Sequence, residues 1–174
     1  LGGLALIKNA VNQGRDCVDV IASRVAGLRR RRVGEVVDVA IIGAGPGGLS
    51  ASLRAIEKKL TYLTLEAEDF GGTVAKYPRQ KLVMTSPVEF PMHGKWTKLE
   101  ITKEQLLAFW DSAAKKAGLT VNTQERVDHI QLEPDGAFTI ETVKGRYRAL
   151  TVVLAIGRRG TPRKLGVAGE QLPK

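Results

Sequence analysis

The chain has 174 residues, 43% of them apolar and 26% charged, and 27 Lys and Arg against 18 Asp and Glu leave a formal charge of +9. This length predicts one globular domain and excludes two full domains. No apolar run approaches the ~20 residues that cross a bilayer, and residues 1–28 lack the uninterrupted apolar region of a signal peptide. We therefore expect a cytoplasmic protein. The single cysteine, Cys17, excludes an internal disulfide or a Cys-x-x-Cys pair within this sequence.

Residues 1–28 carry apolar side chains at spacings of mostly three and four, which predicts an amphipathic helix. This stripe consists of Leu4, Ile7, Ala10, Val11, Val18, Ile21, Val25 and Leu28. Four arginines follow at 29–32. Because basic residues favour a helix C-terminus, we interpret residues 29–36 as a solvated basic linker rather than a surface for nucleic acid or membrane. Only 5% of residues are aromatic, and they do not alternate with basic residues as they do on surfaces that bind single-stranded nucleic acid. We therefore expect no nucleic-acid partner.

Residues 36–42 form a nearly continuous β-branched run, typical of a parallel strand buried on both faces. A glycine-rich turn follows, then a predicted helix over residues 47–58 and a short strand over residues 61–65. Residues 70–98 contain repeated Gly and Pro, so we predict a structured excursion there without helix or sheet strand.

The second half begins with a capping box, in which Thr102 is the predicted N-cap and Gln105 its partner. The helix should run through Lys116 and end at Gly118. Its predicted core-facing residues are Leu106, Leu107, Trp110, Ala113, Ala114 and Ala117.

Short alternating runs separated by turn residues then predict strands, the last of which returns to the parallel sheet. These strands cover residues 119–122, 126–132, 138–142, 146–149 and 150–156. The pattern as a whole predicts an α/β, Rossmann-like domain: a parallel sheet with helices and a small antiparallel β-meander.

Directly between the first strand and its helix lies a Gly-x-Gly-x-x-Gly motif made by Gly43, Gly45 and Gly48, with Pro46 and Gly47 inside it. The first glycine permits the tight turn, the second lets the backbone approach a pyrophosphate, and the third allows close helix–strand packing. Free N–H groups at the helix start then bind the phosphates. The motif in this context predicts a dinucleotide site.

Glu66 ends the second predicted strand, 66 − 48 = 18 residues beyond the last glycine. A carboxylate at this point accepts hydrogen bonds from the adenosine ribose hydroxyls and repels a 2′-phosphate. The bound dinucleotide should therefore be FAD or NAD rather than NADP.

Residues 38–78 and 152–174 resemble the FAD domain of thioredoxin-reductase-like flavoproteins, in the pyridine nucleotide-disulfide oxidoreductase family, and the resemblance extends over about residues 37–174. It implies an FAD cofactor in this domain. It also implies that Gly71, Gly72 and Thr73 run past the flavin.

The resemblance assigns further cofactor contacts by position. Ala155-Ile156-Gly157 corresponds to the Ala-Thr-Gly that closes against the cofactor, and Ile156 departs from that pattern. Ala155 and Gly157 keep the close backbone approach. By the same alignment Tyr77 contacts the flavin and the backbone of Val127 meets adenine. The alternative that Tyr77 only packs against neighbouring side chains stays equally open.

The implied domain order is a helix over 1–28 that resembles the closing helix of a flavoprotein FAD domain, a linker over 29–36, and an FAD-binding domain over 37–174. This domain would be truncated before the NAD(P)H-binding domain, and since residue 1 is Leu we expect a longer polypeptide. Three interpretations of the N-terminal helix stay open: it ends an upstream domain, it packs in cis on this domain, or it is an unrelated amphipathic helix.

The resemblance implies a flavoprotein that passes electrons from NAD(P)H through FAD to a disulfide or protein acceptor, such as a ferredoxin-like or iron–sulfur partner, in a homo-oligomer. No cysteine follows Gly72, so the disulfide arrangement of glutathione reductase is absent from these residues. A ferredoxin- or flavodoxin-type NADP reductase, a flavin monooxygenase and a non-catalytic flavin-binding module remain alternatives. We predict no catalytic side chain and no metal site, and treat His93 and His129 as structural or surface residues.

Overall fold

The computed structural model describes residues 7–29, 34–84 and 87–157. Residues 1–6, 30–33 and 158–174, which carry parts of the predicted N-terminal helix, linker and FAD-binding domain, lie outside the described ranges. The helices there are α1 (Ile7–Arg29), α2 (Pro46–Glu57) and α3 (Lys103–Ala117). The strands are β1 (Val37–Ile42), β2 (Tyr62–Leu65), β3 (Leu82–Met84), β4 (Val88–Phe90), β5 (Gly94–Trp96), β6 (Glu100–Thr102), β7 (Val127–Leu132), β8 (Phe138–Thr142) and β9 (Arg146–Leu154). Within these ranges no helix is both long and apolar enough to cross a membrane.

The main sheet has five strands in the order β2-β1-β9-β8-β7. β1 lies parallel to both β2 and β9, while β7, β8 and β9 form the antiparallel meander. β1 is buried along nearly its whole length because helices cover one face and the meander residues pack on the other. The α/β, Rossmann-like fold predicted from the sequence is confirmed.

β9 corrects one prediction about the chain's path. The sequence predicts two strands, over 146–149 and 150–156, but the structure has one continuous strand. Its first half pairs antiparallel with β8, as far as Ala149 opposite Phe138, and its second half pairs parallel with β1, as far as Leu154 opposite Ile42. The sequence between the halves has no turn residue. The backbone of β9 therefore stays extended, while its pairing changes from β8 on one edge to β1 on the other.

The strand predicted over residues 119–122 is also wrong. Only Asn122 pairs there, in a single parallel bridge to Leu65. Two backbone hydrogen bonds surround this bridge, from Asn122 N to Thr64 O at 2.9 Å and from Glu66 N to Asn122 O at 2.8 Å. This segment therefore touches the end of β2 without running along it.

The excursion over residues 70–98 contains strands that the sequence prediction missed. β3 pairs with β6, and β4 pairs with β5 across a tight turn. Pro91 interrupts neither strand because it lies in the turn between β4 and β5. Val88 and Phe90 are buried against α3, so these short strands are stabilised by packing on that helix.

α3 begins and ends as the sequence predicts. The Thr102 hydroxyl accepts a hydrogen bond from Gln105 N, and the Gln105 side chain accepts one from Thr102 N, both at 3.3 Å. Gly118 follows the helix with a φ of +65°. Trp110 is only 1% exposed and belongs to the core.

α1 packs in cis, side by side with α2. A Cβ built at Gly14 would lie 2.1 Å from the Gly47 carbonyl oxygen, so the two helix backbones touch where both side chains are absent. The Ser50 hydroxyl donates to the Val11 carbonyl at 2.7 Å. Farther along, the Arg54 guanidinium contacts Asp19 at 2.7 Å. Gly47 also lies against Ala10, where an added Cβ would be 3.2 Å from the Ala10 carbonyl oxygen. From Ala10–Gly47 to Asp19–Arg54 the contacts advance in the same direction along both helices, so the helices are parallel.

The end of α1 is fixed to the start of β1 by an ion pair. Arg29, which the sequence assigns to the linker, is the last residue of α1 and donates to the two oxygens of Asp38 at 2.7 and 2.5 Å. Asp38 has no exposed surface, and it also accepts from the backbone and hydroxyl of Thr61. Burial alone would raise the pKa of the Asp38 carboxyl, but the Arg29 and Thr61 donors outweigh burial and lower it.

Candidate functional site

Several of the predicted site residues meet where three parallel strands end. Ile42 lies opposite both Leu65 and Leu154 in the ladder, so Gly43, Glu66 and Ala155 leave the sheet side by side. Gly43 N donates to Leu65 O at 2.7 Å, and Ala155 N donates to Ile42 O at 2.8 Å. Ligands of open α/β sheets bind outside the carboxyl ends of the strands, which is this edge.

Two glycines of the motif are required by close packing. Gly43 has a φ of +108°, and a Cβ built there would lie 2.5 Å from the Ala155 carbonyl oxygen. A Cβ at Gly48 would lie 1.8 Å from the Gly43 carbonyl oxygen. These distances leave no room for a side chain, so Gly43 and Gly48 hold α2 against the end of β1.

Gly45 is different because it faces open space. A Cβ built at Gly45 meets no atom within 4 Å, and its φ of −77° is accessible to any residue. Gly45 is also the N-cap of α2, with no side-chain hydrogen bond to the helix start. The first N–H groups of a helix have no partner inside the helix, so this opening can receive an anionic group.

Gly71 and Gly72 border the same opening. Gly71 N donates to Ala44 O at 3.0 Å, and a Cβ at Gly72 would lie 3.2 Å from Gly45 Cα. On its other side Gly71 contacts α3, where an added Cβ would lie 2.5 Å from Leu107 Cδ2. The excursion thus joins the glycine-rich turn through close backbone contacts, made by two glycines with positive φ angles of +95° and +56°, which side chains would strain.

The Glu66 carboxylate points toward the glycine-rich turn. It is 8% exposed, and it accepts hydrogen bonds from Ala44 N at 2.6 Å and Glu68 N at 3.0 Å. Sequence analysis places Glu66 at the ribose end of the site, and the structure brings it beside the turn that would hold the phosphates. The two N–H bonds orient the carboxylate while leaving acceptor capacity on both oxygens.

A second buried carboxylate supports this part of the site and was missed from the sequence. Glu125 is 3% exposed and accepts from the Tyr147 hydroxyl at 2.7 Å and the Thr142 hydroxyl at 2.9 Å. Burial would raise the pKa of Glu125, but these hydroxyl donors outweigh burial and lower it. Because Glu125 N donates to Glu66 O at 2.8 Å, the network connects the meander to the backbone of Glu66.

The remaining predicted contacts are less closely joined to this cluster. Pro46 opens α2, and a Cβ at Gly47 would lie 3.2 Å from the Ala10 carbonyl oxygen of α1. Thr73 is exposed in the short 3₁₀ helix Gly72–Val74.

Tyr77, Val127 and Gly157 have their described contacts elsewhere. Tyr77 is half-buried, with Lys81 Nζ 4.2 Å from its ring centroid, whereas Val127 packs within the meander. Gly157 has a φ of +70°, and a Cβ built there meets none of the described residues within 4 Å. Their cofactor contacts therefore stay predictions.

The histidines lie in unremarkable surroundings. His93 packs edge-to-face on Phe109, with ring centroids 5.2 Å apart, and His129 is exposed on β7. Among the described residues no group of three His, Cys, Asp or Glu side chains could hold a metal ion. Cys17 is exposed on α1.

Comparisons with known proteins connect this geometry to a family. The pyridine nucleotide-disulphide oxidoreductase family matches residues 40–174. The chain is 33% identical over 139 residues to a ferredoxin–NADP reductase from Lacticaseibacillus paracasei, covering 78% of this chain and 39% of the relative. It is 31% identical over 137 residues to a thioredoxin reductase from Treponema pallidum, with 76% and 38% covered.

Solved structures agree. A bacillithiol disulfide reductase from Staphylococcus aureus superposes with a TM-score of 0.66 at 27% identity, covering 80% of this chain and 44% of that chain. The chain thus spans less than half the length of the relatives it matches.

Proposed function

Because this chain belongs to the pyridine nucleotide-disulphide oxidoreductase family, we propose that it is the FAD-binding part of an NAD(P)H-dependent flavoprotein oxidoreductase. The enzymes of this family are oxidoreductases that use FAD and a pyridine nucleotide. The observation that carries the proposal is the opening at Gly45. Three chain segments converge there on backbone contacts, yet a Cβ at Gly45 would meet no atom of the described residues within 4 Å.

The chain's own residues suit an extended dinucleotide. The N-terminus of α2 would bind the pyrophosphate through backbone N–H groups, and Glu66 would accept from the adenosine ribose. Gly71, Gly72 and Thr73 would border the flavin, with Tyr77, Val127, Ala155 and Gly157 as further contacts. FAD, when bound, supplies the electron-carrying chemistry, while the protein binds and orients it.

We further propose that the electrons pass to a disulfide or a protein acceptor. One relative is named ferredoxin–NADP reductase and another thioredoxin reductase, which makes a ferredoxin-like or iron–sulfur protein and a disulfide the two leading acceptors. The formal charge of +9 would attract an acidic protein acceptor and speed its association. A homo-oligomer in the cytoplasm completes the proposal.

Cofactor selectivity tests the FAD assignment. The purified chain is titrated with FAD, FMN, NAD and NADP, and binding is followed by flavin absorbance or fluorescence and by calorimetry. We expect FAD to bind most tightly, because FMN lacks the adenosine that Glu66 would hold. Tighter binding of NAD, without binding of a flavin, would overturn the FAD assignment.

A matched pair of variants locates the ribose contact. Glu66→Gln removes the buried charge that would accept from the ribose, and should weaken FAD binding by about tenfold or more. Glu68→Gln is the control, because this neighbouring carboxylate is 53% exposed and pairs with Lys76. Equal effects of the two substitutions on FAD binding would argue against a ribose contact at Glu66.

A further inference from the structure

The residue that carries the proposed ribose contact lies just beyond the end of its strand. β2 ends at Leu65, so the ladder between β1 and β2 does not hold Glu66. Residues 122–125, here called the 122–125 loop, hold its backbone from both sides instead. Glu66 N donates to Asn122 O, and Glu125 N donates to Glu66 O, each at 2.8 Å. The position of the Glu66 side chain therefore depends on where this loop lies.

Further hydrogen bonds fix the 122–125 loop against the end of β2. Asn122 N donates to Thr64 O at 2.9 Å, and Gln124 N donates to Glu68 O at 3.1 Å. The Gln124 side chain donates to Asp69 Oδ1 at 3.1 Å. Gln124 has a φ of +53°, a conformation that residues with a side chain rarely adopt. Such a conformation persists only where the surrounding contacts hold it, so the loop has one defined arrangement here.

Glu125 joins the other side of the loop to the meander. Its Oε1 atom accepts from the Tyr147 hydroxyl of β9 at 2.7 Å and from the Thr142 hydroxyl of β8 at 2.9 Å. From the connection between the same two strands, Lys144 Nζ donates to Thr123 O at 2.8 Å. The loop is thus held between the meander and the backbone of the proposed ribose ligand.

Stability alone does not account for a carboxylate at position 125. Glu125 is 3% exposed, and its two hydroxyl donors are uncharged. Burying a carboxylate costs free energy that an apolar side chain of similar volume would not cost. A buried polar group that is fully hydrogen-bonded does, however, hold its partners in a single arrangement. The choice of residue therefore favours a role in orienting the loop.

We propose that Glu125 is a positioning residue for the cofactor site: it fixes the 122–125 loop against the meander and thereby sets the position of the Glu66 carboxylate. Glu125 acts through Glu66 and makes no contact with the cofactor. The inference rests on the proposed function for the ligand of Glu66. The position of the carboxylate itself is reported without cofactor by its two donors, the amides of Ala44 and Glu68.

Residue-resolved hydrogen exchange in the cofactor-free chain tests the positioning role. Glu125→Leu removes the acceptor, whereas Glu125→Gln keeps a carbonyl oxygen that can accept from both hydroxyls. We expect the Ala44 and Glu68 amides to exchange at least about tenfold faster in the Leu variant than in the Gln variant, which should resemble the unaltered chain. The amides of Gly43 and Ala155 donate to backbone carbonyls of the sheet, and they should keep their rates as internal controls.

A second variant covers the case in which Glu125→Leu does not fold. Tyr147→Phe removes one of the two hydroxyl donors and keeps the aromatic ring, so the packing of β9 is retained. It should speed exchange of the Ala44 and Glu68 amides in the same direction as Glu125→Leu, by a smaller factor. No change at either amide in a folded Tyr147→Phe variant would count against the proposal.

A double-mutant cycle on FAD affinity separates positioning from general structural support. Glu125→Leu should weaken FAD binding by about tenfold in the chain that retains Glu66, and by no more than about twofold in the chain that carries Glu66→Gln. Glu125→Gln should restore nearly full affinity. Glu141→Leu is the matched control, because this carboxylate of β8 pairs with the exposed Arg146, and it should leave FAD affinity unchanged.

Two further results would overturn the proposal. One is equal exchange of the Ala44 and Glu68 amides in the Leu and Gln variants of Glu125. The other is an equal loss of FAD affinity from Glu125→Leu with and without the Glu66 carboxylate, because Glu125 would then support the fold in general. If the unaltered chain binds NAD and no flavin, the FAD assignment fails, while the exchange comparison still decides the positioning role.

Discussion

The two ends of the parallel strands, here the carboxyl edge and the amino edge of the sheet, are packed differently. At the carboxyl edge, Gly45 and the start of α2, which has no side-chain cap, leave an opening at the first N–H groups of the helix. At the amino edge, Asp38 is completely buried and bonded to Arg29 and Thr61. The proposed cofactor site and the buried ion pair therefore lie at opposite ends of the parallel strands: one edge has open space at Gly45, and the other is closed by the chain's own charges.

Even within the carboxyl edge, the glycines of the motif differ in kind. Gly48 is in contact with another backbone, whereas Gly45 faces the opening. Substitutions at these two positions and at Asp38 therefore test whether stability and cofactor binding depend on different edges.

The largest effect on stability is expected for Gly48→Ala. The added Cβ would lie 1.8 Å from the Gly43 carbonyl oxygen, and only a backbone shift can relieve that contact. We expect a loss of about 3 kcal/mol or more in the free energy of unfolding, or failure to fold. Urea unfolding followed by circular dichroism measures this loss. Gly145→Ala is the control, since a Cβ there meets no atom within 4 Å.

Asp38→Ala should have the next largest effect. It leaves Arg29 and the Thr61 N–H without their acceptor, and the cost should be about 2 kcal/mol because Arg29 can still reach water. Cofactor binding at the far edge should persist in the folded fraction. Glu141→Ala, which breaks an exposed pair with Arg146, should change stability little. Equal losses in these two variants would refute a special role for the amino edge.

Gly45→Val should have the opposite effect to Gly48→Ala: it should change stability little and weaken FAD binding strongly. Its side chain enters open space, so the free energy of unfolding should change by less than about 0.5 kcal/mol. The same side chain would occupy the proposed pyrophosphate position, and FAD affinity should fall by at least about tenfold, or 1.4 kcal/mol. Retained FAD stoichiometry in a folded Gly45→Val variant would contradict the placement of the phosphates.

The smallest expected effect is on the pH dependence of the free energy of unfolding. The donors around Asp38 and Glu125 lower the pKa of each carboxyl in the folded state. The unfolded chain, with carboxyl pKa values of about 4, then binds more protons in acid, so stability is present above that pH and is lost as pH falls through the folded-state values. Asp38→Asn and Glu125→Gln should each flatten the fall measured by urea unfolding between about pH 5 and about pH 2. An unchanged slope in both variants would show that neither carboxyl contributes.

The site was partly predictable because some of its parts are local. The glycine spacing and Glu66 follow from short-range geometry around one strand–turn–helix unit, and the structure brings both to one edge. The α3 capping box was likewise confirmed, because Thr102 and Gln105 are three residues apart. Glu125 could not be found in this way. Its partners Thr142 and Tyr147 are about twenty residues away, and a single Glu in a polar loop carries no pattern.

Local sequence patterns were enough to predict the glycine-rich turn, the carboxylate that follows it, the helix caps and the alternation of strands and helices. These features depend on interactions between residues close together in the chain. Three other features became visible in the folded chain: β9 is one strand with different neighbours on its two edges, α1 touches α2 at Gly14 and Gly47, and Arg29 pairs with Asp38. Those features arise when distant segments pack, because buried backbones must pair and buried charges must find partners wherever the fold places them.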